Sequence, residues 1–458
     1  MKTIKNTATG PLLTVAIGLF LINPVWAGIP VEHWTQASGA QVYLVSSPAI
    51  PMVDVQMDFD AGSRRDPPDK AGLANVTAAM VSKGLRAGVG APEPALDENA
   101  LGEAWADLGA SFEAYASHDR MSFSLRSLTY PDLLGRSVQL AARQLALPAF
   151  AADIWQRERG SLQSALKEAN TRPATVAGRV FAQAVYGTHP YGFEMTGATL
   201  AKIEVADMAA LYRQMIVPCR AKVTIVGAVK RTQADALVQQ LLGRLVASQQ
   251  DGTESCVPLS AIAEVQPLVF AAEQHIAFDS AQAHVLIGQP GFKRDDPDFF
   301  ALTVGNYILG GGGFVSRLTD EVREKRGLSY SVSSGFAPGL HAGAFTVALQ
   351  TRPDQAAQAV KVAREVLSSF VADGPTPAEL QAAKDNLVGG FPLLIDSNRK
   401  LLGNVANMAW NNLPLNYLDT WTQQVERVKL ADIKSAFARK LQPDRMVTVV
   451  LGGAPANQ

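Results

Sequence analysis

The sequence predicts an α+β chain built from two homologous layered domains, and three observations carry that prediction. At a constant offset of 225, Ala206, Asp207, Tyr212, Pro218 and Gly227 fall on Ala431, Asp432, Phe437, Pro443 and Gly452, so two distant segments share one pattern of helix, proline stop and buried strand. Arg65-Asp66-Pro67 and Arg294-Asp295-Asp296-Pro297 each follow an apolar strand-like run and form a second matching pair. Strand-like runs are grouped with runs of helices instead of alternating strictly with them, which favours α+β layers over a doubly wound parallel sheet. The length of 458 residues is too great for one ordinary domain and ample for two.

Taken in order, residues 1–27 read as a signal peptide: Lys2 and Lys5 precede an apolar run from Leu12 to Ile22, followed by Val25-Trp26-Ala27 with small residues where a signal peptidase reads. The apolar run is about 11 residues, short of the roughly 20 needed to span a bilayer, and no later segment qualifies as a membrane helix. The signal is expected to be cleaved, with retention as an anchor the alternative. The first domain is expected over 28–247. Within it, Gln41 to Val45 and Val53 to Phe59 are rich in β-branched and alternating apolar residues and read as strands, while Leu133 to Leu147 and Ile154 to Asn170 have apolar residues at helical spacing. A linker is expected over 248–260, where turn and loop residues break the apolar periodicity. The second domain covers 261–458, with a helix over Gln355 to Val371 and another opened by the capping box Thr376-Pro377-Ala378-Glu379.

Composition excludes several partners. The 41 basic and 42 acidic residues show no basic run, so nothing in the charge points to nucleic acid or an anionic membrane surface. Hydrophobic content of 47% with 18% charged is globular composition. Cys219 and Cys256 are the only cysteines; they form no disulfide framework, and in an oxidising compartment they either pair or stay free.

Phe59-Asp60-Ala61-Gly62-Ser63-Arg64-Arg65-Asp66-Pro67, followed by Lys70 to Gly84, resembles the approach to the inverzincin helix of the pitrilysin/insulinase family of zinc peptidases. In that family the helix carries H-x-x-E-H, whose histidines bind zinc while the glutamate activates the metal-bound water. Here those positions are Asn75, Ala78 and Ala79. Alanine has no donor atom, and a single amide is a poor zinc ligand. The family's third ligand lies six residues beyond the arginine of a Glu-Arg pair; Glu158-Arg159 puts that position at Ala165, with Glu168 nearby. The six histidines, at 33, 118, 189, 275, 284 and 341, include no two within five residues, so no helical His pair exists. No metal is therefore expected in this chain.

The second half keeps what the first has lost. Asn306 to Leu318, with Gly310, Gly311, Gly312 and Gly313, and then Val322 to Tyr330 closely resemble the family's C-terminal-domain signature, in which an Arg and a Tyr seven residues later hold substrate and stabilise the carbonyl oxygen under attack. Arg323 and Tyr330 have that spacing. Taken without the family, Arg323 is as readily a helix brace, Tyr330 a core residue and the glycines a tight turn. The glycine run lacks the Lys-Ser/Thr of a phosphate loop. Leu108 to Ala116, with Phe112, Glu113, Ala114 and Tyr115, resembles the family's edge strand, to which an extended peptide adds by main-chain hydrogen bonds. His189-Pro190-Tyr191-Gly192 reads as a structural turn.

The resemblance runs from about Val42 to Gly452 and is closest to bacterial members in which zinc-bearing and Arg/Tyr-bearing subunits are separate chains. It implies a pitrilysin-like clamshell fold and a non-catalytic, periplasmic subunit of a heterodimeric metalloendopeptidase. A zinc-bearing H-x-x-E-H partner and an unfolded peptide substrate go with that reading. The alternative is a metal-free peptide-binding or assembly protein, acting as a homodimer.

Overall fold

The computed structural model describes residues 28–88, 93–248 and 256–453. The signal-like segment 1–27 and most of the expected linker lie outside these residues. The first half carries β1 (Glu32–Thr35), β2 (Gln41–Ser46), β3 (Met52–Phe59), β4 (Ser111–Ala116), β5 (Met121–Leu128) and β6 (Lys222–Gly227). Its helices are α1 (Leu73–Met80), α2 (Glu98–Asp107), α3 (Pro131–Ala146), α4 (Ala152–Ala169), α5 (Pro173–Tyr186), α6 (Gly197–Lys202), α7 (Val205–Met215) and α8 (Arg231–Ser248). The second half carries β7 (Ala272–Ile276), β8 (Ala283–Pro290), β9 (Ser331–Phe336), β10 (Ala344–Thr351) and β11 (Val447–Leu451). With them are α9 (Phe299–Asn306), α10 (Ala356–Asp373), α11 (Pro377–Gly390), α12 (Asn398–Trp410), α13 (Tyr417–Arg427) and α14 (Leu430–Lys440). The helix α8 runs one residue past the expected boundary at 247.

The repeat is larger than the matching residues suggested. The helices α3, α4, α5 and α7 start at Pro131, Ala152, Pro173 and Val205; α10, α11, α12 and α14 start at Ala356, Pro377, Asn398 and Leu430, each 225 residues later. The sheets agree. One has the order β1-β2-β6-β3-β5-β4 and the other β7-β11-β8-β10-β9, so β6 and β11 hold equivalent inner places and β4 and β9 are equivalent edges.

Each sheet has one face on its own helices. Val55, Met57, Phe59, Phe123, Leu125, Val223 and Ile225 point into the first core, and Val285, Ile287, Phe345, Val347 and Leu349 into the second. The opposite faces are covered by exchange. From the second half, α12 lies across β6 and β3 of the first sheet, while α5 of the first half lies across β11 and β8 of the second. Phe181 and Val185 of α5 are buried with Val447, Val449 and Leu451; Tyr43, Val45 and Val226 join Val405, Met408 and Ala409 of α12. Each large side chain buried there stabilises by about 1.5–3 kcal/mol.

Polar contacts at both ends add to the seam. Lys222 donates from Nζ to the Ala409 carbonyl (2.8 Å), the Trp410 carbonyl (3.2 Å) and Asn412 Oδ1 (2.6 Å), satisfying the end of α12. At the far end, Tyr191 Oη donates to Asp119 Oδ1 (2.6 Å) and accepts from His341 N (3.2 Å), while Asp119 Oδ2 accepts from Leu340 N (3.0 Å). The expected turn at His189 is present: it starts a short 3₁₀ turn, its Nδ1 accepts from Tyr191 N (3.1 Å), and it is packed rather than solvated. Cys219 and Cys256 are paired, which resolves the alternative the sequence left open.

Candidate functional site

The helix α1 is positioned by Asp66, from the Arg-Asp-Pro pattern. Its buried carboxylate accepts from Gly72 N (2.9 Å) and Ala74 N (3.0 Å), taking orphan donors of the first turn. Burial lifts this carboxyl to about 7 against those same hydrogen bonds. Gly72 needs its φ of 101°, and a Cβ there would strike Met195.

Asn75 and Ala79 are exposed one helical turn apart, and Ala78 is buried between them. Asn75 Nδ2 donates to the carbonyl of Ala116 (3.3 Å), the last residue of β4, so the first ligand position now holds the end of the edge strand. Ala165 is exposed on α4. Lys83, just beyond α1, reaches Glu98 on α2 (2.5 Å) and Glu158 on α4 (3.5 Å), which ties the three helices together with ion pairs. Among the described residues, no group of three His, Cys, Asp or Glu side chains comes together in a way that could hold a metal ion. The residues at the family's ligand positions do not fit zinc: two are alanines and the third is an amide already bonded to a carbonyl.

The strand β4 is the edge of the first sheet and pairs only with β5 among the described residues. Phe112 is 6% exposed, stacked between Trp105 and Phe123, so only its backbone faces outward. Glu113 and Tyr115 are exposed, and Ala114 is half-buried on the core side.

A second cluster forms in the other half. The helix α9 continues into a π-helical turn over Tyr307–Gly311, and Gly313–Val315 form a 3₁₀ turn. A Cβ on Gly310 would strike Ser334 Oγ and N, and one on Gly312 would strike the ring and carbonyl of Tyr307. Asn306 and Ser334 exchange two hydrogen bonds (2.8 and 3.2 Å) that fix this turn to β9. Gly310 is therefore buried by close packing, whereas Gly311 and Gly313 are at the surface with Gly312 half-buried. The turn presents Phe314, 73% exposed, beside Arg323.

Arg323 lies in a π-helical turn over Thr319–Glu324 and is 29% exposed. Its guanidinium lies over the Phe314 ring (4.8 Å) and the Tyr330 ring (4.9 Å), and among the described residues its ion pair is with the neighbouring Glu324 (3.3 Å). Tyr330 is 81% exposed, immediately before β9, so it is no core residue. Neither Arg323 nor Tyr330 bonds to α1, α4 or β4 of its own chain among the described residues. The arrangement offers a cation half-buried between two rings and an exposed phenol that makes no hydrogen bond among the described residues.

Sequence reasoning missed two members of this cluster. Phe314 is invisible to a donor-based search because its role is to stack on Arg323. Arg317 is a brace: it forms a bidentate pair with Glu379 of the capping box (2.6 and 2.7 Å), which holds that carboxyl down at about 2 and anchors the segment to α11.

Comparison with known proteins agrees with this geometry. Residues 41–199 match the model of the insulinase family, peptidase family M16, and residues 202–387 match that of the peptidase M16 inactive domain. An uncharacterized zinc protease of Mycobacterium leprae is 26% identical over 423 residues, 91% of each chain. A Helicobacter pylori protein named as a non-peptidase homolog is 32% identical over 166 residues, 35% of this chain and 38% of that one. The crystal structure of a peptidase M16 inactive domain from Pseudomonas fluorescens superposes with a TM-score of 0.85 at 32% identity, covering 94% of this chain and 99% of that one. The repeated sheets, the signature around Arg323 and these matches together make the chain a member of the pitrilysin/insulinase family of peptidases, M16.

Proposed function

We propose that this chain is the non-catalytic subunit of an exported zinc metalloendopeptidase, lending Arg323 and Tyr330 to the active site of a homologous, zinc-bearing partner. The observation that carries the reading is a contrast within one chain. The ligand positions are Asn75, Ala79 and Ala165, with Ala78 in place of the general base, while Tyr330 is exposed, Arg323 is half-buried between two surface rings, and neither bonds to α1, α4 or β4 among the described residues. A decaying enzyme has no use for a guanidinium held between two surface rings beside an exposed phenol. A subunit that completes another chain's site does, because a fixed cation and a phenol are good donors to the oxygen of a carbonyl under attack. The partner carries H-x-x-E-H and the zinc, and the substrate is an unfolded peptide laid along an edge strand. The N-terminal pattern of lysines and an apolar run supports work in the periplasm.

Co-expression with an H-x-x-E-H homologue from the same genome tests this. The expected result is a stable complex with zinc in the partner and peptidase activity that neither chain has alone. Stoichiometric zinc and activity in this chain by itself would overturn the proposal. The second reading, a homodimeric metal-free peptide binder, is favoured by the free edge of β4, since strand addition needs no metal; it predicts peptide binding with no gain of activity from any homologue.

A further inference from the structure

We infer that the open edge of β4 selects a basic side chain in the strand it receives, through Glu113. This rests on the reading of β4 as a peptide-receiving edge and adds a substrate class to it. The face of the first sheet that lies under α12 carries, Val226 apart, polar side chains and one tyrosine in three rows set by the strand register: Val226, Asp54, Arg126, Ser111; Thr224, Gln56, Ser124, Glu113; Lys222, Asp58, Ser122, Tyr115. In two rows the carboxylate is answered. Asp54 faces Arg126 (3.5 Å), and Asp58 takes Arg120 (3.0 Å) together with hydrogen bonds from Ser122 and Gln56.

The middle row is different. Its Gln56 is spent on Asp58, and among the described residues no ion pair or hydrogen bond involves the Glu113 carboxylate. Arg126, the cation in the adjoining row, is turned to Asp54. Because α12 covers β6 and β3, Glu113 stands on the uncovered strip, exposed, at the outermost strand. A strand added to β4 places alternate side chains on this face, with one directly beside Glu113. Opposite charges at directly facing positions attract, and like charges repel. A lysine or arginine there completes the row as Arg126 completes the first.

A charge on an edge strand also serves simply to discourage pairing, and the two roles make different predictions. The probe is a set of fluorescein-labelled twelve-residue peptides of threonine, serine and alanine with lysine, glutamine or glutamate at the centre. Binding to the mature chain is read by anisotropy, and its location by hydrogen-exchange protection of 111–116. Lysine is expected to bind about two- to fivefold tighter than glutamine, with glutamate weakest. Glu113→Gln removes the discrimination, and Glu113→Lys inverts it. An unchanged ranking in Glu113→Lys, or uniformly tighter binding of all three peptides to Glu113→Gln with their ranking intact, leaves Glu113 a guard and overturns the inference while the edge reading stands. Failure of every peptide to protect 111–116 overturns both.

Discussion

Replacing Tyr330 by phenylalanine removes one oxygen and leaves the ring on which Arg323 rests, so it isolates the phenol's chemistry from its packing. At 81% exposure the side chain supports no core, and neither folding nor the Arg323 stack at 4.9 Å depends on the hydroxyl. Loss of one preorganised donor to a developing oxyanion costs about 10²- to 10³-fold in turnover; with Arg323 retained as the second donor, about 10²-fold is expected. Tyr330→Ala also deletes the ring. An exposed cation–π contact is worth about 0.5–1 kcal/mol, so alanine is expected to cost a further two- to fivefold through a less ordered Arg323. The assay is steady-state cleavage of an internally quenched peptide by the complex with the zinc-bearing homologue, with zinc measured on the same samples. Turnover of the phenylalanine variant within twofold of wild type, at equal zinc content, refutes the assigned role. Equal losses in the two variants would place the whole effect in the hydroxyl.

Further perturbations test the frame. Reduction of Cys219–Cys256, which are 37 residues apart, is expected to cost about 4 kcal/mol by loop entropy, read as a fall in thermal midpoint with a reductant; no shift refutes it. Asp66→Ala strips the cap from α1 and is expected to cost about 1–3 kcal/mol in denaturant unfolding. Because burial raises Asp66 to about 7, the native chain holds a proton there that the unfolded chain lacks between about pH 4 and 7. Its contribution is largest at low pH and is lost as pH rises through 7, so the advantage of wild type over Asp66→Asn should shrink from pH 5 to pH 8. His189 has the opposite trend: it is 7% exposed, and burial followed by His341 (ring centroids 5.0 Å apart) lowers its pKa. The unfolded chain then binds the proton first, so stability falls as pH drops below about 6.5. A His189→Gln variant, followed by thermal melts, should lose less between pH 6.5 and 5.

The repeat was legible because helix starts, proline stops and glycine ends leave a mark at fixed spacing; Pro218 and Pro443 sit where α7 and α14 must stop. The equivalence of α5 with α12 was less legible: at the offset of 225 Gly178, Val180 and Ala184 recur as Gly403, Val405 and Ala409, but the large side chains do not, since Phe181 falls on Ala406 and Trp410 on Val185, and the value of each helix lies in the sheet it covers. The missing ligands could be read directly, as no fold gives an alanine a donor. The poise of Arg323 could not. It depends on Phe314, and a phenylalanine after a glycine run looks like core until the turn is seen to hold it in solvent. Gly310 shows the converse: a glycine placed at a binding surface by resemblance owes its identity to Ser334 packed against it.

The exchange of α5 and α12 has a mechanical consequence. The two halves cannot swing apart without peeling one helix from β8 and β11 and the other from β3 and β6, which would bare apolar surface on both sheets at once. Among the described residues the two halves are thus locked to each other by these two helices. They act as one stiff unit, and in the proposed complex with a zinc-bearing homologue the opening of a shell would fall to the joint between chains, so its control would lie in how strongly the second chain is gripped.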